Sequence, residues 1–379
     1  MPLMEKAGVF RILRELLFLK QTRYGLFYKG HFTYSTRFPW RSYQTYCKSL
    51  VYRRHGPWKE VLKLENATLP HVGDQDIHIR MLAAPVNPAD INMLQGNYGI
   101  LPHLPGIGGN EGVGEVIKVG CQVQGIKPEE WVIPIDCGFG TWRTEAVCKW
   151  SEVIPVSKDI SLLSAATLGV NPCTAYRMLT DFEVLEAGDT VIQNGANSAV
   201  GQAVIQICAV MGVTTINVIR DRPNVARLKE KLLSLGANYV ITEDMLQKPE
   251  MANLFKIAKK PKLALNCVGG NSAGNLFCHL RDGSTMVTYG GMSRKPTPLP
   301  AKALIFKNVK VCGFWMTQWK RNHMHDLTKL TTMVSELAEM VRRGQLLEPI
   351  CSTVPFQDYN KALQACMDPY SVKHVLIMK

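Results

Sequence analysis

The chain has 379 residues, a formal net charge of +13 and 46% hydrophobic residues, which is an ordinary composition for a globular protein of about two domains. No apolar run reaches the length of a membrane-spanning helix, and the 11 cysteines include no C-x-x-C pair. The sequence therefore argues against a membrane span, a disulfide framework and a zinc cluster, and it favours reduced thiols inside a cell.

The first 45 residues are basic and poor in acids. They carry eight basic and two acidic side chains, separated by Leu, Phe, Ser, Thr and Tyr, and account for +6 of the +13. This composition is typical of a cleavable mitochondrial presequence, with a disordered basic tail or an artefact of the choice of translation start as the alternatives. We therefore expect a mature protein in the mitochondrial matrix. The remaining +7 modestly favours an acidic partner.

The next part of the chain has the patterns of β-structure. Asp76 to Ala83 alternate apolar and polar side chains, which predicts a half-buried strand. Trp131 to Pro134 and Thr144 to Cys148 have the composition of further strands. Residues 104–120 are rich in glycine, which permits the tight bends and close strand packing of a small β-barrel.

The apolar spacing then becomes helical. Ser161 to Met178 has this spacing, and Asn171-Pro172 interrupts it, which predicts a hinge. Beyond the hinge, Thr190 to Gln193 is a β-branched run, followed by a turn of small residues, an amphipathic helix and a second β-rich run at Val213 to Ile219. This strand-turn-helix-strand order predicts the first half of a dinucleotide-binding fold.

The turn and the end of the second strand indicate which dinucleotide is bound. Ala196 to Gly201 stands where G-x-G-x-x-G is usual, and its small residues let backbone approach a pyrophosphate at a helix N-terminus. The second strand ends in Arg220-Asp221-Arg222, where NAD sites usually carry an acidic residue. Two guanidinium groups suit a 2′-phosphate, so NADPH is favoured, with a solvated charged loop as the alternative.

Further β-rich runs alternate with helical segments. They are Tyr239 to Ile241, Leu263 to Val268, Thr285 to Tyr289 and Val309 to Trp315. This alternation predicts a parallel sheet. A helix over Asp326 to Arg343 and strands near Val354 and from His374 to Met378 come after it, and we expect them to return to the first domain.

Eight motifs carry a family resemblance. They are NPADINMLQGNYG (87–99), GNEGVGEV (109–116), LGVNPCTAYRML (168–179), QNGANSAVGQAVIQI (193–207), NVIRDRP (217–223), ALNCVGG (264–270), TMVTYGGM (285–292) and FWMTQW (314–319). They resemble the mitochondrial trans-2-enoyl-thioester reductases, also called enoyl-acyl-carrier-protein reductases, of the medium-chain dehydrogenase/reductase superfamily. The resemblance implies an α/β fold, with a Rossmann-type NADPH-binding domain at 173–319. A GroES-like catalytic domain that contains a β-barrel would comprise residues 46–172 and 320–379.

By this resemblance, Tyr98 is the catalytic residue, in a loop flanked by glycines. Reduction of a C2=C3 bond conjugated to a thioester needs hydride at C3, stabilisation of the enolate charge and a proton at C2, and a hydroxyl donor can help. Without the resemblance, an aromatic residue in such a loop would be interpreted as a packing residue. Trp315 is expected to orient the substrate or Tyr98, although a core aromatic is the alternative. Phe139 and Trp142 are weaker candidates for the acyl pocket.

The resemblance also implies contacts to NADPH along the edge of the parallel sheet. Asn171 would lie near the nicotinamide end, the small-residue turn near the pyrophosphate, and the arginine pair near the 2′-phosphate. Lys373 is expected to reach the cofactor too, with a surface lysine as the alternative. The full set is Asn171, Asn197, Ser198, Ala199, Val200, Gly201, Arg220, Asp221, Arg222, Tyr289, Gly290, Gly291, Met292, Phe314, Trp315, Met316 and Lys373.

The sequence departs from the zinc-dependent members of the superfamily. Those enzymes carry a histidine before the glutamate of a G-H-E motif, where this chain has Asn110 before Glu111. Their metal-binding cysteine falls at Asn87-Pro88, and the four-cysteine structural lobe is missing. A catalytic zinc needs three suitable N, S or O ligands, so we expect no metal.

We therefore expect an NADPH-dependent oxidoreductase that converts trans-2-enoyl thioesters to saturated acyl thioesters, the last reductive step of mitochondrial fatty acid synthesis. Acyl carrier protein would carry the substrate, with CoA esters accepted in vitro, and no nucleic-acid partner is expected. The resemblance implies a homodimer joined near Val309 to Trp315. The alternatives are an NADPH:quinone reductase, which Tyr98 argues against, and a non-catalytic NADPH-binding regulatory protein.

Overall fold

The structure is a computed structural model that describes residues 46–368 and 370–378. The presequence predicted at 1–45 lies outside the described residues. The strands are β1 (Tyr46–Tyr52), β2 (Leu62–Thr68), β3 (Asp76–Pro85), β4 (Gly106–Ile107), β5 (Val113–Val119), β6 (Trp131–Pro134), β7 (Glu145–Lys149), β8 (Val153–Val156), β9 (Thr190–Gln193), β10 (Thr214–Ile219), β11 (Tyr239–Thr242), β12 (Leu263–Asn266), β13 (Thr285–Thr288), β14 (Lys310–Gly313), β15 (Cys351–Pro355) and β16 (Lys373–Ile377). The helices are α1 (Trp58–Val61), α2 (Pro88–Leu94), α3 (Leu162–Leu168), α4 (Asn171–Asp181), α5 (Ala199–Met211), α6 (Val225–Ser234), α7 (Met251–Ile257), α8 (Gly270–His279), α9 (Ala301–Lys307), α10 (Met316–Asn322), α11 (Thr328–Arg342) and α12 (Tyr359–Met367).

The predicted parallel sheet is confirmed. It has six strands in the order β11-β10-β9-β12-β13-β14, and every neighbouring pair runs parallel. Numbered along the sheet by chain order, this is the 3-2-1-4-5-6 arrangement of dinucleotide-binding domains. All residues of β9 and β12 are buried, as expected for central strands that helices cover on both faces.

Helix α5 directs its N-terminus at the carboxyl end of this sheet. The Ser198 side chain caps it by accepting a hydrogen bond from the Gly201 N–H at 3.1 Å. Gly212 ends the helix with a φ of 68°, a left-handed conformation that glycine adopts without a steric penalty. The strand-turn-helix-strand unit predicted from the sequence is therefore present, with its turn at the edge where dinucleotides bind.

A second sheet, which is mostly antiparallel, forms the other part of the molecule. Its order is β15-β16-β3-β5-β6-β8, β7 pairs with β3, and the separate small sheet β2-β1-β4 lies outside this order. The β15 and β16 pair is parallel, and β16 runs antiparallel to β3. The C-terminal strands β15 and β16 thus lie in the same sheet as β3. This agrees with the prediction that they return to the first part of the chain.

Two segments connect these parts and position residues of the site. The predicted helical stretch before the parallel sheet is divided into α3 and α4, but the interruption lies at Gly169-Val170 and not at Asn171-Pro172. Asn171 and Pro172 begin α4, because proline is accepted in the first turn of a helix. At the far end, the strand expected up to Trp315 stops at Gly313, because Trp315 already precedes α10 as its N-cap residue. The helix expected from Asp326 begins at Thr328, and the Asp326 side chain accepts from the Thr328 N–H at 2.9 Å.

Substitutions on the parallel sheet should reveal how much its core contributes to stability. Leu265 on β12 is fully buried, so Leu265→Ala should lower the free energy of unfolding by about 2–5 kcal/mol through lost burial and a residual cavity. Leu233 on α6 is 48% exposed, and Leu233→Ala should change that free energy by less than about 0.5 kcal/mol. Chemical denaturation measures both, and equal losses would contradict this assignment of the core.

Candidate active site

The Tyr98 hydroxyl lies against the indole of Trp315. Trp315 Nε1 donates a hydrogen bond to Tyr98 Oη at 2.8 Å, and the ring centroids are 5.5 Å apart with an interplanar angle of 87°. An indole N–H only donates, so the Tyr98 oxygen accepts this bond and its own proton stays available for another acceptor. The structure therefore brings together two residues that are 217 positions apart in the sequence.

Glycines shape the loop that carries Tyr98. Gly96 ends α2 with a φ of 76°, in the left-handed region that favours glycine. A Cβ atom on Gly99 would lie 3.0 Å from Cη2 of Trp315, so the indole ring packs directly against the loop backbone. These positions explain locally why the sequence places its tyrosine between glycines.

A cavity opens beside the Tyr98 side chain. Residues from the antiparallel part, the hinge and α10 line it, so it lies between the two parts of the molecule. The lining consists of Asn87, Ala89, Asp90, Tyr98, Asn110, Ile135, Asp136, Cys137, Val170, Met316, Thr317 and Lys320. A concave site with a few convergent polar groups at such a boundary is where small ligands commonly bind.

The environment of Tyr98 keeps its phenol protonated. Burial raises the pKa of Tyr98 above its ordinary value, and the hydrogen bonds from Trp315 and Thr317 only partly oppose this rise. At neutral pH the group is therefore a neutral hydroxyl that can donate a proton into the cavity.

A buried carboxylate connects the segments around the cavity. Glu111 is 3% exposed and accepts hydrogen bonds from the Val170 N–H and from Asn87 Nδ2, each at 2.8 Å. Asn171 Nδ2 lies within 3.5 Å of the same carboxylate. Lys373 Nζ donates to Asn87 Oδ1. The hinge, the start of α2 and the end of the chain thus meet at one group of polar side chains.

Asp90 is a second buried carboxylate beside the cavity. It accepts hydrogen bonds from the Asn87 N–H and from Asn110 Nδ2, both at 2.7 Å, and Asn110 in turn accepts from the Gly138 N–H at 2.6 Å. Burial raises the pKa of Asp90 to about 7, although the bond from the Asn87 N–H acts in the opposite direction. These bonds tie α2 to the loop around Gly138.

The residues at this place do not fit a catalytic zinc. The amides of Asn87 and Asn110 stand where the zinc-dependent enzymes have ligands, both amides are engaged in hydrogen bonds, and a lysine ammonium contacts Asn87. Amides and ammonium groups are not the thiolate, imidazole or carboxylate ligands that zinc selects. Across residues 46–368 and 370–378, no group of three or more His, Cys, Asp or Glu side chains could hold a metal ion.

The small-residue turn before α5 leaves its backbone open to a ligand. A Cβ atom on Gly201 would lie 2.6 Å from the Ala196 carbonyl oxygen, so only glycine allows this close turn. The Asn197 carbonyl accepts from Gln202 Nε2 at 2.8 Å, which fixes the turn to the helix. The predicted pyrophosphate contacts, which are Asn197, Ser198, Ala199, Val200 and Gly201, all lie in this turn or the first turn of α5.

The predicted contacts after β13 lie beside this turn. The Tyr289 hydroxyl is buried without a hydrogen-bond partner among the described residues, and Ser198 and Cys267 are its neighbours. A Cβ atom on Gly290 would lie 2.9 Å from the Cys267 carbonyl oxygen, so the chain passes close to the end of β12. Gly291 has open space around it, and Met292 is 62% exposed. An orphaned hydroxyl and open backbone at a helix N-terminus fit a bound pyrophosphate.

The predicted 2′-phosphate contacts follow β10. Arg220 and Arg222 both point at the ring of Tyr370, with Cζ atoms 5.6 and 6.0 Å from its centroid. The Asp221 carboxylate instead accepts a hydrogen bond from the backbone N–H of Arg222 at 2.9 Å. The two guanidinium groups thus lie against the same ring after the end of β10, and two such groups together suit a phosphate.

Three predicted residues lie away from the cavity lining. Trp142 is fully buried in the core of the antiparallel part and donates to the Pro85 carbonyl at 3.2 Å. Phe139 packs at the edge of the same core under the Arg143 guanidinium, 5.0 Å from its ring. Phe314 packs edge-on against Phe182, with centroids 5.8 Å apart. By contrast, the predicted Met316 lines the cavity, and Asn171 and Lys373 join the polar side chains beside it.

The structure adds cavity residues that the sequence did not single out. Asp90 lies within the motif that contains Tyr98, but only the fold reveals that it is buried. Thr317 and Cys137 line the cavity near Tyr98. Lys320 is buried and donates to the Gly169 carbonyl at 2.9 Å, which ties α10 to the hinge.

Comparison with known families agrees with the two-part fold. Residues 73–158 match the model of the alcohol dehydrogenase GroES-like domain, and residues 199–335 match that of the zinc-binding dehydrogenases. Together these matches identify the antiparallel part as GroES-like and the parallel sheet as the Rossmann-type domain of the medium-chain dehydrogenase/reductase superfamily.

Individual relatives narrow the family. Mitochondrial enoyl-acyl-carrier-protein reductase of Rattus norvegicus is 55% identical over 335 residues, which cover 88% of this chain and 89% of the relative. A solved complex of Etr1p with NADP and crotonyl-CoA has a TM-score of 0.82 and 32% identity, and the match covers 88% of this chain and 100% of the other. The Etr1p/Etr2p heterodimer of mitochondrial 2-enoyl thioester reductase from Candida tropicalis matches with a TM-score of 0.81, 32% identity and the same coverage. The chain belongs to the family of mitochondrial enoyl-acyl-carrier-protein reductases.

Proposed function

We propose that this protein uses NADPH to reduce the C2=C3 double bond of trans-2-enoyl thioesters. The observation that carries the proposal is the Tyr98 hydroxyl, which Trp315 fixes in place beside a cavity between the two parts of the molecule. The relatives support the same reaction, because they are named enoyl-acyl-carrier-protein reductases and one solved neighbour holds NADP and crotonyl-CoA. The product would be the saturated acyl thioester. This reduction would be the last reductive step of mitochondrial fatty acid synthesis.

NADPH fits the edge of the parallel sheet. The turn from Asn197 to Gly201 offers backbone N–H groups and a helix N-terminus to the pyrophosphate, and the buried Tyr289 hydroxyl lacks a partner there. Arg220 and Arg222 offer two forks to the 2′-phosphate. We also assign the ends of the later strands to this site, namely Gly290, Gly291, Met292, Phe314, Trp315 and Met316.

The nicotinamide end would lie beside the polar side chains around Glu111. Asn171 and Lys373 both contact Asn87 there, with Asn171 Nδ2 3.4 Å from Asn87 Oδ1. Their amide and ammonium groups can donate to a carboxamide or a ribose hydroxyl at the boundary of the cavity. This would place the reacting end of the cofactor next to Tyr98 and the 2′-phosphate at the opposite end of the cleft.

In this reaction the cofactor supplies the hydride that is added to C3. The enzyme must then stabilise the negative charge that develops on the thioester oxygen and deliver a proton to C2. Tyr98 is suited to donate, because its phenol is protonated and its oxygen is already held by the Trp315 N–H. A donor fixed before the reaction stabilises developing charge without the cost of reorienting water.

We further propose the carrier, the location and the domain boundaries expected from the sequence. Residues 1–45 would be a presequence that directs the protein to the mitochondrial matrix, in agreement with the mitochondrial names of its relatives. Residues 46–172 and 320–379 would form the catalytic domain, and residues 173–319 the NADPH-binding domain. Acyl carrier protein would present the substrate, and the net charge of +7 outside residues 1–45 would steer an acidic carrier. Turnover of carrier-bound substrate should then fall with salt, and salt-independent turnover would argue against this steering.

A homodimer would join two copies at β14. This strand ends the order of the parallel sheet, and exposed apolar side chains surround it, including Ile305 at 70%, Phe306 at 76% and Val311 at 39%. An open strand edge with an apolar surround favours pairing with a second copy. The Etr1p/Etr2p heterodimer from Candida tropicalis supports assembly in this family.

Removal of the Tyr98 hydroxyl tests its role as the proton donor. Tyr98→Phe in protein lacking residues 1–45 should lower kcat for a trans-2-enoyl-CoA by about 10²–10⁴-fold, because the proton donor is lost while the ring still packs on Trp315. NADPH oxidation measures turnover, and fluorescence titration checks that NADPH still binds. Tyr239→Phe, on β11, is the matched control and should keep full activity.

Different failures have different meanings. Turnover unchanged in Tyr98→Phe would leave the reductase but remove Tyr98 from the chemistry. A wild-type protein that reduces quinones and ignores enoyl thioesters would support the alternative oxidoreductase. NADPH binding without turnover of either substrate class would support a binding protein.

The pH at which the Tyr98 phenol ionises tests its protonation state. Because burial outweighs the bond from Trp315, the Tyr98 phenol should ionise at a pH above the ordinary tyrosine value of about 10. Ultraviolet absorbance of phenolate, recorded against pH for wild type and for Tyr98→Phe, gives the titration of this group by difference. A difference curve centred below the ordinary value would contradict a protonated donor.

Charged substitutions near β14 test the proposed homodimer. Phe306→Glu combined with Val311→Glu should convert the dimer to monomers, because charges would be buried at the joined edge. Light scattering measures the mass. Val184→Glu, at a residue that is 79% exposed elsewhere, is the control and should leave the mass unchanged. Wild-type protein that is already monomeric would refute the proposed dimer.

A further inference from the structure

An aromatic ring from the C-terminal part of the chain covers the arginine pair. Tyr370 lies between α12 and β16, and its ring centroid is 5.6 Å from Cζ of Arg220 and 6.0 Å from Cζ of Arg222. The ring is 57% exposed, so packing into a core does not account for its position. One ring therefore contacts both guanidinium groups that follow β10.

This contact joins distant parts of the chain. The arginines follow a central strand of the parallel sheet, whereas Tyr370 precedes β16, which pairs with β3 in the antiparallel sheet. Three residues after Tyr370, Lys373 donates to Asn87 Oδ1 beside the active cavity. The segment from Tyr370 to Lys373 thus touches the basic end of the cleft and the polar side chains at the reacting end.

The charges explain what the ring does. Burial lowers the pKa of Arg222, and repulsion from Arg220 lowers it further, so the two guanidinium groups oppose each other. Two acidic groups are nearby. The Asp221 carboxylate accepts a hydrogen bond from the Arg222 N–H, and the half-buried Glu243 accepts one from the Ser272 hydroxyl. An aromatic face attracts a guanidinium plane, and a guanidinium group binds phosphate through the N–H donors at its edge.

We propose that Tyr370 is a positioning residue for the 2′-phosphate of NADPH, which holds Arg220 and Arg222 together as one anion receptor and so sets the preference for NADPH over NADH. This inference rests on the proposed use of NADPH. The Tyr370 ring acts through the two arginines and need not touch the phosphate. Its loss would therefore weaken binding of the phosphorylated ligand while leaving the rest of the dinucleotide site intact.

Two small ligands separate this role from general binding. The probes are 2′,5′-ADP, which carries the 2′-phosphate, and ADP, which lacks it, and calorimetry gives the dissociation constant of each. Tyr370→Ala should weaken 2′,5′-ADP by about 3- to 10-fold and leave ADP unchanged, whereas Tyr370→Phe keeps the ring and should bind like wild type. Val372→Ala, an exposed residue of the same segment, is the control and should change neither constant.

A double variant tests whether Tyr370 acts through the arginines. In the Arg222→Ala background, Tyr370→Ala should weaken 2′,5′-ADP less than it does alone. Equal affinity of wild type and Tyr370→Ala, or an equal loss for both ligands, would overturn the proposal. So would additive effects with Arg222→Ala. If wild type shows no preference for 2′,5′-ADP and Arg222→Ala changes nothing, the use of NADPH itself is refuted, whatever Tyr370 does.

Discussion

The buried Glu111 carboxylate is the constraint on which the geometry of the active cavity depends. It accepts hydrogen bonds from the hinge at Val170 and from Asn87 at the start of α2. A buried charge is costly unless its lone pairs are satisfied, so these partners are held strongly in place. Because α2 leads into the Tyr98 loop and the hinge leads into the parallel sheet, this carboxylate fixes the Tyr98 loop relative to the parallel sheet.

The hydrogen bond between Trp315 and Tyr98 completes this arrangement from the other direction. Trp315 lies where the chain leaves the parallel sheet and enters α10, while Lys320 on α10 is tied to the Gly169 carbonyl. The two parts of the molecule are therefore connected at the hinge, at α10 and at the hydroxyl itself. A relative movement of the two parts would change the position of the Tyr98 hydroxyl as well as the width of the cavity, so both depend on the same connections.

Local patterns carried much of the fold and only part of the site. The strand at Thr190 to Gln193, the helix after it and the parallel order could be predicted because apolar periodicity and small turn residues act within about 30 residues. The bond between Tyr98 and Trp315 spans 217 positions and became predictable only through family motifs. Trp142 was predicted to line the acyl pocket, because it is an aromatic residue in a loop. Its ring instead packs against the backbone of Gly108 and Gly109 and is buried in the core. No periodicity marks Tyr370, because its contact depends on where two sheets end.

The charges around the cavity explain why a neutral phenol suits this site. The two nearby ammonium groups are already engaged, Lys320 with the Gly169 carbonyl and Lys373 with Asn87, and the amides beside them bind carboxylates. The Tyr98 hydroxyl is the cavity donor that Trp315 holds in place, and burial retains its proton. In a desolvated cavity a single fixed donor gains strength as charge appears on its acceptor, so it stabilises the transition state more than the uncharged substrate.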